Sequence, residues 1–320
     1  MKRYMGVGVA MLVLACGSNE TILDEEPRPD LVEEVLTCIP AEGNPDADLF
    51  CHMEWDGRTR LVLLTLPDES AQPYPLVLNF HGFSHNPSLQ NRYSELPAAT
   101  RAAGVLLATP AGTGVKVTTG EGLGAWNAGN CCAGGDDVGF VSALIDVLVE
   151  TRAVDPDRVF AAGMSNGGFF SYRLACDLAD KITAITSVAG ADMTADCEPV
   201  EKVSILEIHG TADHYVPYDG GRATGTDALL FAVRFPSVAD TVSLWTTRNV
   251  CSERTEIVFD NGDVTCERHP DCADGATVEW CTVADGGHTW PGASFPSMYG
   301  PTNHDLSANE YMLTFFLGQP

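Results

Sequence analysis

The chain has 320 residues, 44 Asp and Glu against 18 Lys and Arg, and a formal net charge of −26. So acidic a surface repels phosphate backbones and excludes nucleic acid as a partner. With a leader and tether set aside, the remaining length suits one domain with a full hydrophobic core.

Residues 1–15 read as a signal peptide. Lys2 and Arg3 precede an apolar run from Met5 to Ala15, too short to span a bilayer. The run ends at Val13-Leu14-Ala15-Cys16-Gly17, where a small residue before a cysteine points to bacterial lipoprotein processing. Cys16 is then the acylated first residue of the mature chain and its membrane anchor. Residues 16–44 read as a lipoprotein tether and N-terminal segment. From Gly17 to about Val35 they are polar, acidic and proline-bearing, so they bury little. Residues 45–320 form the catalytic domain.

In that domain strands are expected near 49–55, 60–66 and 75–80, then a helix near 92–102 and a strand near 104–109. The glycine-rich stretch 110–135 exceeds ordinary loop lengths and is expected to wall a pocket. Asp136 and Asp137 are placed to cap a helix near 137–152. A strand near 158–162, a helix near 166–179 and strands near 183–188 and 203–208 follow. A helix near 238–248, a strand near 277–283 and a helix near 306–317 complete the series. Between them, Asp260-Asn261-Gly262-Asp263 reads as a hairpin turn rather than a calcium site. Strands alternating with helices predict an α/β fold, with a mostly parallel sheet covered on both faces.

The chemistry begins at Gly163-Met164-Ser165-Asn166-Gly167. This fits G-x-S-x-G, a nucleophile elbow between a strand and a helix. The sharp turn holds the serine in strained backbone space, and small neighbours let the chain pack there. A serine nucleophile needs a base and an acid to orient it, here expected in the order serine, acid, histidine. The strand near 203–208 ends in His209-Gly210-Thr211-Ala212-Asp213, which puts Asp213 on a loop at a strand's carboxyl end. The strand near 277–283 runs into Gly286-Gly287-His288, which supplies the base. Asp219 lies farther from its strand end, and His304 precedes the last helix. His81 and His209 each precede a glycine and are expected to support loops. Oxyanion donors are expected at the backbone N–H groups of Asn166 and of Phe83, in the loop after strand 75–80. Trp126 and Trp290 are candidate substrate contacts.

His81-Gly82, Trp126-Asn127-Ala128-Gly129-Asn130-Cys131-Cys132, Asp136-Asp137-Val138-Gly139-Phe140, the elbow, His209–Asp213 and Gly287-His288-Thr289-Trp290-Pro291-Gly292 occur in that order. Over about residues 45 to 320 the chain resembles the esterase family of poly(3-hydroxybutyrate) depolymerases and feruloyl esterases. The resemblance implies an α/β-hydrolase fold, a triad of Ser165, His288 and Asp213, and secreted hydrolysis of polyester or of feruloyl or acetyl polysaccharide esters, with no cofactor. A serine peptidase on the same fold and a non-catalytic surface lipoprotein that binds glycan or polymer are the alternatives.

Eleven cysteines less Cys16 leave ten, an even number that suits an oxidising compartment. Cys38 is expected to pair with Cys51, Cys251 with Cys266, and Cys272 with Cys281. Cys131, Cys132, Cys176 and Cys197 make the other two bridges, with one of the vicinal pair expected on Cys176. No Cys/His set at ligand spacing points to zinc or another metal.

Overall fold

The computed structural model describes residues 36–68, 72–114, 124–194, 196–224, 233–295, 297 and 299–319. The stretches read as a signal peptide and as a tether to about residue 35, with Cys16 between them, lie outside the described residues. The described residues belong to one compact unit, Glu34–Pro320.

Among the described residues, eleven strands form one sheet in the order β1-β2-β3-β5-β4-β6-β7-β8-β11-β10-β9. The central strands are β5 (Leu106–Pro110), β4 (Tyr74–Phe80), β6 (Val154–Met164), β7 (Ala184–Val188), β8 (Ser204–Gly210) and β11 (Val278–Val283), all mutually parallel. Antiparallel strands flank them. On one side are β1 (Thr37–Pro40), β2 (Leu49–Trp55) and β3 (Arg58–Thr65); on the other, β9 (Glu256–Asn261) and β10 (Val264–His269). The architecture is that of an α/β-hydrolase. β1 lies in the N-terminal segment that precedes residue 45, so the sheet starts earlier than residue 45.

The central strands read as near-continuous apolar runs because both faces are covered. Alternation sends their side chains to two separate cores. Leu76, Leu78 and Phe80 enter one with Val159, Ala161 and Ile205. Val77 enters the other with Phe160, Ala162, Met164 and Leu206. Helices α3 (Asp137–Arg152), α4 (Asn166–Asp177) and α5 (Val238–Arg248) cover the first core through residues such as Phe140, Phe170 and Trp245. α1 (Pro87–Ser94), α2 (Leu96–Ala102) and α6 (Ala308–Leu317) cover the second through Tyr93, Leu96, Met312 and Phe316. Phe160 and Phe316 stack with ring centroids 4.8 Å apart. Each such fully buried large side chain contributes about 1.5–3 kcal/mol of transfer free energy.

The helix expected near 92–102 is two helices. Glu95 takes a left-handed conformation, φ 56°, and Pro97 opens α2. Pro97 has no N–H to donate to the carbonyl four residues back, and its ring crowds that carbonyl, so one helix cannot run through this point. β9 and β10 form the hairpin expected at Asp260–Asp263, with Gly262 at φ 58° in the turn.

Among the described residues, five disulfides link Cys38–Cys51, Cys131–Cys132, Cys176–Cys197, Cys251–Cys272 and Cys266–Cys281. The first pairing was expected. The others correct the sequence reading. Cys266 and Cys281 face each other across the β10–β11 ladder, so neither is available to Cys251 or Cys272. The vicinal pair closes on itself and leaves Cys176 to Cys197.

Candidate active site

Ser165 stands between the end of β6 and the start of α4, with φ 55° and ψ −122°. A non-glycine residue there carries about 1–3 kcal/mol of strain and persists only where its surroundings fix it. The surroundings are close-packed backbone. A Cβ on Gly167 would come within 2.0 Å of the Phe80 carbonyl oxygen, and one on Gly163 within 2.4 Å of the Gly167 carbonyl. The strand, the turn and the helix therefore approach as only glycine permits. Ser165 N–H donates to the Val188 carbonyl at 3.0 Å, and Phe169 N–H to the Ser165 carbonyl at 2.9 Å. The serine itself is half-buried, while Met164 and Asn166 on either side are buried.

Asp213 and His288 meet. His288 Nδ1 is 2.7 Å from Asp213 Oδ2, and both residues are about 95% buried, with 5% and 4% exposure. Neither Asp219 nor His304 takes part in that pair. The other carboxylate oxygen, Oδ1, accepts from the Tyr215 and Val216 amides at 2.8 and 2.9 Å. Burial alone would raise the Asp213 pKa. The charge of His288 and the hydrogen bonds of His209 and His288 override it and hold the carboxyl well below its usual range. Asp213 is therefore an anion that fixes the imidazole's tautomer with the hydrogen on Nδ1, leaving Nε2 as the basic nitrogen.

The His81–Phe83 turn, at the end of β4, lies against the elbow. A Cβ on Gly82 would sit 3.6 Å from Ser165 Cβ. His81 supports this turn, as expected. Its Nδ1 is 2.9 Å from the Gly82 carbonyl, and its Nε2 accepts from Gly112 N–H at 3.0 Å. Burial keeps it neutral, with a pKa lowered to about 4.

Trp126 and Trp290, the candidate substrate contacts, are both buried. Their exposures are 0% and 1%, so their rings belong to the core. Trp126 bridges the two loops beside Ser165. Its backbone N–H donates to Asn166 Oδ1 at 2.7 Å and its carbonyl accepts from Asn166 Nδ2 at 3.1 Å. Its indole N–H donates to the His81 carbonyl at 3.1 Å. Trp290 donates to Asn309 Oδ1 at 2.9 Å, which ties the His288 loop to α6.

Of the two aspartates expected to cap α3, Asp136 does so, accepting from Gly139 N–H at 3.0 Å. Asp137 does something else. It is fully buried, pairs with Arg60 at 2.9 Å, and accepts from Thr113 Oγ1 and Asn127 N–H. It thereby pins both described ends of the 110–135 stretch to β3.

Several site neighbours escaped the sequence reading. Tyr215 and Tyr299 flank the His288 ring at centroid distances of 5.2 and 6.1 Å. His85 Nε2 lies 3.1 Å from the Tyr299 hydroxyl, and Tyr93 donates to the His288 carbonyl at 3.4 Å. Behind Asp213, the buried pair Glu207 and His209 contacts it through His209 Nε2 at 3.3 Å. A charged residue inside the buried run Val203-Ser204-Ile205-Leu206-Glu207-Ile208 was the signal for that network. Among the described residues no group of three or more His, Cys, Asp or Glu is arranged to hold a metal ion.

Ser165 on its strained elbow and the Asp213–His288 pair at neighbouring strand ends mark the class as an α/β-hydrolase. No protein-family model matches the chain. It is 32% identical to a putative esterase, NocK, of Nocardia uniformis subsp. tsuyamanensis, across 99% of this chain and 98% of that protein. It is 30% identical to feruloyl esterase B of Piromyces equi over 67% of this chain and 39% of that protein. In three dimensions it is similar to the acetyl xylan esterase from Aspergillus awamori, with a TM-score of 0.54, 12% identity, and coverage of 80% of this chain and 94% of that one. The chain belongs to the feruloyl-esterase-type family of α/β-hydrolases and is a carboxylic ester hydrolase.

Proposed function

We propose that the protein is an exported serine esterase in which Ser165 is the nucleophile, His288 the general base and Asp213 its orienting acid. The observation that carries this reading is the buried 2.7 Å contact between His288 Nδ1 and Asp213 Oδ2. In acylation Ser165 Oγ attacks the ester carbonyl carbon and its proton passes to His288 Nε2. The Phe83 and Asn166 amides take the oxyanion, and Asp213 stabilises the imidazolium. Collapse expels the alcohol, which leaves with the proton from His288. Water, deprotonated by the same nitrogen, then releases the acid and restores Ser165.

The substrate we infer is a feruloyl or acetyl ester of a polysaccharide, on the strength of what the relatives are named for: feruloyl esters, and acetylxylan in a Neocallimastix patriciarum protein. A polyhydroxyalkanoate-type polyester is the second candidate. Export agrees with the five disulfides, since oxidising compartments favour them. We further propose signal peptide 1–15, acylation at Cys16 with membrane attachment, and a tether to about residue 35, followed by an N-terminal segment whose strand β1 joins the sheet of the catalytic domain.

Fluorophosphonate labelling tests the mechanism: peptide mapping is expected to place the label on Ser165, and a label elsewhere or none refutes it. Methyl ferulate, acetylated xylan and poly(3-hydroxybutyrate) film, assayed side by side, rank the substrates. Cleavage of peptide amides in preference to esters would make it a peptidase, and binding without turnover a glycan or polymer receptor. Mass spectrometry of the mature amino terminus decides the anchor, and an unmodified terminus away from Cys16 rules it out.

A further inference from the structure

Behind Asp213 lies a second set of titratable groups that the ester chemistry itself does not call on. Glu207 and His209 are two residues apart on β8 and so share one face of the sheet. Each is 1% exposed. His209 Nδ1 is 2.8 Å from Glu207 Oε1. Its Nε2 is 2.9 Å from the Val216 carbonyl oxygen and 3.3 Å from Asp213 Oδ2. Tyr172 of α4 donates to Glu207 Oε2 at 2.9 Å.

Donor and acceptor rules fix much of this arrangement. A carbonyl oxygen only accepts, so His209 Nε2 carries a hydrogen. Nδ1 faces a carboxylate, so a hydrogen there too makes the ring a cation between two anions. Burial opposes that charge, and the hydrogen bonds and charges of Asp213 and Glu207 overcome it, lifting His209 to about 10. Asp213 Oδ1 accepts from the Tyr215 and Val216 N–H groups and Oδ2 from His288, while the single His209 Nε2–H, bonded to the Val216 carbonyl, stands 3.3 Å from Oδ2 as a charge partner.

His209 supports the loop, as expected, through the Val216 carbonyl at 2.9 Å, and other bonds hold the loop's first turn. Thr211 N–H donates to the Val283 carbonyl and Ala212 N–H to the Gly286 carbonyl, both at 2.9 Å. The same nitrogen also stands 3.3 Å from Asp213 Oδ2, so His209 faces the Asp213 charge as well as the loop. We propose that His209 is a positioning residue of the esterase site: with one N–H facing Glu207 and the other facing Asp213, it holds Asp213 in the rotamer that meets His288 and limits how strongly that carboxylate retains the imidazolium proton. This inference rests on the Ser165–His288–Asp213 reading. The other ionisable group packed on the His209 ring is Tyr218, at 5.9 Å between centroids, its hydroxyl bonded to Thr282. Asp219 and Glu267 lie near Tyr218. On the far side of Asp213, His288 is faced by Tyr215, Tyr299 and His85.

The test uses the full chain with His209→Leu, His209→Gln and Glu207→Gln, read by kcat, KM, melting temperature and the pH profile on p-nitrophenyl acetate. Without the Nε2–H facing it, Asp213 becomes more basic and holds the imidazolium longer. In His209→Leu the acid limb of kcat/KM is expected to rise by about one pH unit, with kcat down about tenfold and KM unchanged. His209→Gln keeps an N–H and is expected to restore most of both. If His209→Leu does not fold, Glu207→Gln, which takes away the anion holding the charge on His209, is expected to move the limb in the same direction by less. An unmoved limb in whichever of these two variants folds, or equal losses in His209→Leu and His209→Gln that follow their melting temperatures, overturns the proposal. Ser165→Ala separates the two readings: if it keeps the wild-type rate, the triad fails and the His209 role with it; if it is inactive beside an unaltered His209→Leu, only the His209 role fails.

Discussion

Replacing His81 by glutamine removes a titration from the core while keeping both of its hydrogen bonds within reach. The glutamine amide donates to the Gly82 carbonyl, and its carbonyl accepts from Gly112 N–H, as the imidazole does now. Burial, with smaller contributions from His85 and Arg60, lowers the His81 pKa from 6.5 to about 4. The folded state thus holds a neutral ring that the unfolded chain protonates below its ordinary pKa. The resulting stability is complete above about pH 6.5 and is lost as pH falls toward about 4. At 1.36 kcal/mol per unit, the loss between about pH 8 and about pH 4.5 is about 2.5 kcal/mol. Denaturant unfolding of both proteins at the two pH values measures it. Wild type is expected to lose about 2.5 kcal/mol more than His81→Gln. Asp213 and the other carboxylates titrate in both proteins, so their share cancels in the difference. Equal losses would refute the claim that burial holds His81 neutral.

Three other outcomes are expected. Ser165→Ala abolishes ester turnover with folding intact, and adding His288→Ala costs hardly more than either change alone, because the triad acts as a unit; multiplying losses in kcat would show two independent groups. Trp126→Phe keeps the packing against Phe80 and Phe170 but drops the indole hydrogen bond to His81. It is expected to cost about 1 kcal/mol in denaturant unfolding and to lower kcat more than it raises KM, since the Phe83 and Asn166 loops lose their common tie; a change confined to KM argues against that tie. Alkylation of the native protein without reductant is expected to find no free thiol among the ten cysteines of the described residues, and two or more reactive thiols would refute the five bridges.

The site was legible where its chemistry is written into short contiguous strings. The elbow is fixed by Gly163 and Gly167, whose Cβ positions the neighbouring backbone occupies. Asp213 and His288 follow strands whose apolar runs announce their ends. What escaped notice depends on which strands become neighbours. Cys266 opposes Cys281 only because β10 pairs with β11 in that register. The Trp126 ring is buried between Phe80 and Phe170, residues 46 and 44 positions away in sequence, by simple difference of their numbers. β1 is short and mostly exposed, so it has no hydrophobic pattern to betray it. Glu207 was readable, since a carboxylate in a strand buried on both faces requires partners, but the sequence alone does not reveal that one of those partners leads to Asp213.

The vicinal disulfide separates local from global stabilisation. In the chain-entropy account a bridge stabilises by restricting the unfolded chain, more so for longer loops. Cys251–Cys272 spans 21 residues and Cys131–Cys132 spans one. The first is worth about 3 kcal/mol on that account and the second about 0.6. The second nevertheless sits where it can matter for turnover. Cys132 N–H donates to the Trp126 carbonyl at 3.2 Å, and Asn166 Nδ2 reaches Cys132 Sγ at 3.5 Å while bonding that same carbonyl. The double variant Cys131→Ala, Cys132→Ala is therefore expected to keep nearly the wild-type unfolding free energy and to lose turnover, as the turn that holds Asn166 loosens. Cys251→Ala with Cys272→Ala should do the reverse, unfolding more readily with kcat preserved below its melting transition. Denaturant unfolding and steady-state kinetics on the two pairs measure both. If the vicinal variant loses as much stability as the long-loop variant and keeps its kcat, the bridge is a structural staple and the link to Asn166 carries no catalytic weight.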